Sequence, residues 1–206
     1  ARPDYGWLSE ETADNLDRLA CRRLFVVDPI DGTRAYMKGR PWWSVSIAVI
    51  EDDQPVAGVV FAPDCGETYC AIRGAGARRN DAPIAPSTRT DLEGAGMVGD
   101  VRMFQHPAWP QPWPSMRIEA RNSTAYRMCL VAAGEFDAAL ALVAKADWDL
   151  AAADLIAREA GAVACDHLGR PFAYNGPNPS QHSLLCAAPG VAPLILNRVS
   201  HIALGN

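Results

Sequence analysis

The chain has no C-x-x-C pair among its six cysteines and no H-E-x-x-H among its four histidines. Both absences argue against a zinc site. Cys21, Cys65, Cys70, Cys129, Cys165 and Cys186 sit mostly within apolar segments, where a free thiol behaves as a small core residue. We expect reduced thiols and a cytoplasmic protein. No apolar run approaches the roughly 18 residues that cross a bilayer, so no membrane partner is expected. Lys and Arg number 19 against 24 Asp and Glu, a formal net charge of −5. That balance offers no surface for a nucleic-acid polymer. Neither an internal repeat nor a low-complexity tract is visible. What remains is an ordinary globular composition, 49% apolar and 21% charged over 206 residues, enough for one or two domains.

The first half reads as an antiparallel meander. Residues 44–50 alternate as a strand, Asp52-Asp53 turn, and 55–61 return as the hairpin partner. Residues 67–73 form a third strand, stopped by Gly74-Ala75-Gly76. From 85 to 96 the composition changes to that of a surface connection. Residues 97–99 and 116–119 read as strands, separated by an exposed loop at 106–114 whose four prolines forbid helix or central strand.

The second half alternates helices and strands. Residues 123–133 read as a helix, N-capped by Ser123 and ended by Gly134. A strand at 136–143 precedes a second helix at 149–160, with Leu150, Ala153, Ile156 and Ala157 along one face and Gly161 beyond its end. Strands at 163–165 and 183–187 and a helix at 194–199 complete the chain. We expect two halves, 1–95 and 96–206, that together build one site.

The chemistry concentrates at Leu24-Phe-Val-Val-Asp28-Pro-Ile-Asp31-Gly-Thr33. A short buried strand runs into Asp28, which cannot stay buried and ionised alone. Pro29, lacking an N–H, is expected to end the ladder. Gly32 permits a tight turn that aims N–H groups at a ligand. Two acids, a turn and a threonine at a strand end suit a metal and a phosphate; a plain Asp-Gly turn is the alternative. The second site is Asp147-Trp148-Asp149, where Asp149 either serves chemistry or merely N-caps its helix.

Asp28-Pro-Ile-Asp31-Gly-Thr33, preceded by Ser9-Glu10-Glu11 and followed by Trp148-Asp149 and Glu159-Ala160-Gly161, resembles the inositol monophosphatase superfamily over nearly the whole chain. The resemblance implies a layered αβαβα sandwich (α/β, of the sugar-phosphatase type), here without N-terminal helices. It also implies a Mg²⁺-dependent, lithium-sensitive phosphomonoesterase and a homodimer. Glu10, Asp28, Asp31, Asp149 and the Ile30 carbonyl would ligate two or three Mg²⁺ ions, with Glu11 behind them. Converging carboxylates repel, and a hard divalent cation relieves that repulsion. Thr33, Asp28 and Glu10 would be catalytic, and Gly32 and Thr33 would hold the phosphate. An upstream aspartate, expected in a helix before Ala1, would help Thr33 orient water; we expect an N-terminal portion to be missing, with a targeting leader left open.

Departures bear on the substrate, a small phosphate ester. Leu142 stands where inositol monophosphatases place a glutamate, seven residues before the metal aspartate. Asn122-Ser123 replaces Gly-Ser/Thr, with Ser123 and Thr124 as candidate substrate contacts. Arg34-Ala-Tyr36-Met-Lys38-Gly-Arg40 is closer to the bisphosphate nucleotidases. There Lys38 and Arg40 would meet a second phosphate and Tyr36 a base; a solvated turn is the alternative. We therefore expect a 3'(2'),5'-bisphosphate nucleotidase, with an inositol-1-phosphate or other sugar-phosphate phosphatase as alternative. Two rivals remain: a haloacid-dehalogenase-type phosphatase, which needs D-x-D rather than the D-x-x-D present, and a metal- and phosphate-binding regulator without turnover.

Overall fold

The structure, a computed structural model, describes residues 2–107 and 109–204. Its largest element is a seven-stranded sheet, ordered β1 (Gly6–Ser9), β2 (Arg23–Asp31), β3 (Ser44–Glu51), β4 (Gln54–Ala62), β5 (Glu67–Ile72), β6 (Ala77–Arg79) and β7 (Ala82–Pro83). Only β1 and β2 run parallel. The β3–β4 hairpin closes through Asp52 and Asp53 at φ 49° and 61°. That is the twist a two-residue hairpin demands, and Asp tolerates it. A four-residue helix, α1 (Thr33–Tyr36), follows β2.

The second sheet orders β12 (Val163–Cys165), β14 (Leu184–Ala187), β10 (Ala138–Ala141), β8 (Gly96–Val98) and β9 (Arg117–Glu119). A separate pair joins β11 (Lys145–Ala146) to β13 (Ser180–Gln181). Helices α3 (Thr124–Ala132) and α4 (Asp147–Ala160) lie between the sheets. Strand β10 shows the layering residue by residue. Ala139 and Ala141 join the core around those helices, while Ala138 and Leu140 join a second core with Ile195 and Val199 of α5 (Ala192–Val199). The layers are thus sheet, helices, sheet, helix, a mixed α/β architecture. The large sheet's other face presents Trp7, Ile47, Val59, Phe61 and Ile72 to solvent.

Helix α4 approaches the large sheet closely because both sides are small. A Cβ on Gly58 of β4 would lie 2.9 Å from the Ala152 carbonyl oxygen. Near its end, Glu159 accepts from the N–H groups of Gly74 and Gly76 at 2.8 and 2.9 Å, pinning the turn after β5.

Several expectations need correction. Pro29 does not end β2, which continues to Asp31. Helix α4 begins at Asp147, so Asp149 is its third residue and not its N-cap. Strand β10 ends at Ala141, two residues early, and a short helix α2 (Val101–Phe104), unexpected from the sequence, is capped by Asp100. The proline-rich 106–114 stretch is not simply exposed: Trp109 and Trp113 stack edge-on at 5.3 Å and pack on the second core. Ala108 of that stretch lies outside the described residues. All six cysteines are free thiols, and among the described residues no helix is long and apolar enough to cross a membrane.

Candidate active site

Successive strand residues face opposite ways, so Asp28 and Asp31, three apart, should diverge. A bulge prevents this. Asp28 pairs with Ser46 and Asp31 with Ser44, so β2 carries one residue more than β3 over the interval. The extra residue turns both carboxylates toward the inner face, where Ser44 and Ser46 are also buried. Pro29 fits here because a bulge leaves a residue without a ladder partner. Asp28 Oδ1 accepts from the Ile30 N–H at 2.9 Å, closing the bulge on itself.

Asp31 is built into the start of α3. Its carboxylate accepts from Ser123 Oγ at 2.6 Å, the Ala125 N–H at 2.7 Å and the Thr124 N–H at 3.1 Å. Donors at a helix N-terminus suit an anion. Ser123 in turn accepts from the Tyr126 N–H, as the cap the sequence predicts, and lies 2.9 Å from Ser44 Oγ. Ser123 and Thr124 are buried and their donors serve Asp31. Gly32 makes the junction possible: at φ 90°, its Cβ would lie 2.8 Å from the Ser123 nitrogen.

Asp149 enters from α4. Asp28, Asp31 and Asp149 each place a carboxylate oxygen within 4.8 Å of the others. Burial and mutual repulsion push Asp28 up to about 8 and Asp149 up to about 7, with Glu10 adding its charge to both. Asp31 is also raised, chiefly by burial, against the pull of its three donors. Such a set is uncomfortable alone and chemically matched to a hard divalent cation. Glu10 stands at the end of β1, exposed, with its N–H on the Val27 carbonyl at 3.4 Å.

Thr33 Oγ1 donates to the Ile30 carbonyl at 3.1 Å, linking two expected site residues. Lys38 and Arg40 are exposed, the Arg40 guanidinium 5.9 Å from the Trp42 ring; Tyr36 is half-exposed and stacks edge-on against Trp43 at 5.0 Å. Leu142 lines an apolar cavity of about 340 Å³ with Met103, Trp109 and Ile202.

Two cations escaped sequence reasoning. Arg127 of α3 donates to the carbonyls of Arg121 and Asn122, and its charge is felt by Asp31, Asp100 and Asp149. Burial holds its pKa below the usual arginine value. Lys145 of β11 offsets part of the rise that burial and Asp31 impose on Asp149. Only Lys145's closeness to Asp149 in sequence could have pointed to either.

A profile of the inositol monophosphatase family matches residues 1–202. The chain is 34% identical over 206 residues to Nus factor SuhB of Pasteurella multocida, covering 96% of this chain and 74% of the relative. It is 34% identical over 192 residues to histidinol-phosphatase of Mycobacterium tuberculosis, covering 85% and 73%. Among solved structures, inositol monophosphatase II of Staphylococcus aureus MSSA476 superposes with a TM-score of 0.83 at 26% identity, covering 97% of this chain and 77% of that one. SaIMPase-II structures with 2'AMP bound and with inositol monophosphate bound match at TM-scores of 0.83 and 0.79 and identities of 26% and 27%, covering 97% and 96% of this chain and 78% and 76% of theirs. These matches displace the haloacid-dehalogenase reading: the chain belongs to the inositol monophosphatase family.

Proposed function

We propose that the protein is a Mg²⁺-dependent phosphomonoesterase that prefers a nucleoside 3'(2'),5'-bisphosphate. The observation that carries the hydrolase reading is the convergence of Asp28, Asp31 and Asp149 within 4.8 Å, with Asp28 and Asp149 raised by burial and repulsion. These three, Glu10 and the Ile30 carbonyl would hold two or three Mg²⁺. What bound Mg²⁺ adds is Lewis acidity toward phosphoryl oxygens and a lowered pKa for water.

The chain's own groups do the rest. Asp31, with both oxygens tied to the start of α3, is pre-set and need not reorganise. Thr33 donates its proton to the Ile30 carbonyl, so its lone pairs are left to accept from water and orient it. The Gly32–Thr33 turn would offer N–H groups to the phosphate. Arg127 and Lys145 add positive charge beside Asp31 and Asp149, which favours approach of an anion.

Two features support the bisphosphate. Leu142 offers no carboxylate to a polyol hydroxyl, which speaks against a polyol ester. Lys38 and Arg40, exposed just beyond α1, suit a second phosphate. A second reading, binding without hydrolysis, is favoured by the relative named Nus factor SuhB.

The test is phosphate release from 3'-phosphoadenosine 5'-phosphate, inositol-1-phosphate and histidinol phosphate, with and without Mg²⁺ and Li⁺. We expect Mg²⁺-dependent, Li⁺-inhibited release, fastest from the bisphosphate. Faster release from either other ester reassigns the substrate, and no release from any favours the second reading.

A further inference from the structure

Arg18 lies in the 3-10 turn Asp17–Ala20, only 2% exposed. A guanidinium so buried is costly unless its donors are met. Its Nε and Nη2 hold the Asp14 carboxylate, with a shortest contact of 2.7 Å. Its Nη1 donates to Asn175 Oδ1 at 2.8 Å, and its Nη2 also donates to the Gly176 carbonyl at 3.1 Å. The connection continues. The Asn175 N–H donates to Asp147 Oδ2 at 3.1 Å, and Gln181 Nε2 donates to Asp147 Oδ1 at 2.8 Å. The Asp147 N–H donates to the Pro179 carbonyl at 2.9 Å.

The ends of this connection are what matter. Asp14 belongs to the loop that leaves Glu10, and Asp147 is the first residue of α4, two before Asp149. We propose that Arg18 is a positioning residue for the metal site, clamping the segment after Glu10 to the loop that seats the start of α4. It touches none of the reacting groups. An apolar side chain would fill the same volume, but a planar fork with donors in several directions also sets the relative orientation of two loops 157 residues apart in sequence. Gly6 of β1 completes the fit: its Cβ would lie 3.1 Å from Arg18 Cβ, so the strand that leads into Glu10 packs directly on the clamp.

This inference rests on the metal-site reading, so the test begins with calorimetric titration of the wild-type chain with Mg²⁺ alone. Arg18→Met, Arg18→Lys and Asn175→Gly follow; glycine suits the φ of 63° at position 175. Arg18→Met should weaken Mg²⁺ binding by about 10- to 100-fold, the usual loss when a support of metal ligands is removed. Arg18→Lys should recover part of it, Asn175→Gly should lose a smaller part, and KM for the phosphate ester at saturating Mg²⁺ should stay unchanged. A purely structural arginine would instead lower the metal-free melting temperature without moving the Mg²⁺ affinity. Wild-type affinity in Arg18→Met overturns the clamp; should that variant not fold, wild-type affinity in Asn175→Gly does so. A wild-type chain that takes up no Mg²⁺ overturns the metal-site reading itself, before any variant is compared.

Discussion

The Ser123 hydroxyl donates to Asp31 across 2.6 Å and accepts from the Tyr126 N–H at 2.9 Å. One side chain therefore both caps α3 and holds a candidate metal carboxylate, so helix start and site geometry are one feature. Ser123→Ala removes both bonds inside a fully buried junction. It should cost roughly 1–3 kcal/mol of stability and weaken Mg²⁺ binding, read by urea unfolding and calorimetry. A stability loss with unchanged Mg²⁺ affinity would show that Asp31 is held by the α3 amides alone.

Metal binding should depend on pH. Without metal, burial and mutual repulsion raise both Asp28 and Asp149, so the cluster as a set still holds protons near pH 6. A divalent cation must displace those protons. Mg²⁺ affinity should therefore rise from pH 6 to pH 8.5, with proton release visible as a buffer-dependent heat. Asp149→Asn should abolish turnover and reduce both the affinity and the proton release. Affinity flat across this range would show that the carboxylates are already ionised in the metal-free protein.

Asp154, buried in α4, should make stability fall as pH rises. It accepts from the Tyr174 hydroxyl at 3.0 Å and pairs with Arg158 Nε at 3.1 Å, yet burial raises it to about 6. The folded chain thus holds this proton more tightly than the unfolded one. Stability is lost as pH rises from the unfolded value of 3.8 through about 6. The melting temperature of Asp154→Asn relative to wild type should increase between pH 4.5 and 7.5. A constant difference would mean that Arg158 fully compensates the buried charge.

Thr33→Ala should lower kcat far more than it raises KM, because the hydroxyl is assigned to orient water rather than to bind substrate. Steady-state kinetics at saturating Mg²⁺ measure this. An unchanged kcat would leave Thr33 with only its bond to the Ile30 carbonyl.

Features set by neighbouring residues were legible in the sequence. Asp52-Asp53 makes its hairpin, Ser123 caps α3, and Gly161 ends α4 at φ 96°, each through interactions spanning a few residues. The acids of the D-x-x-D string and Trp148-Asp149 could be named for the same reason: the motif is a short run of residues. Tertiary structure decided how they meet. The bulge that turns Asp28 and Asp31 to one face depends on the register of β2 against β3. The start of α4 at Asp147 depends on Asn175, Pro179 and Gln181, about thirty residues away. Arg127 and Lys145 look like ordinary surface cations until α3 and β11 bring them beside Asp149. Local pattern chose the residue types, because turns, caps and periodicity act over one or two helical turns. Their convergence was chosen by packing between distant segments, where burial and repulsion act through space and leave no periodic trace in the chain.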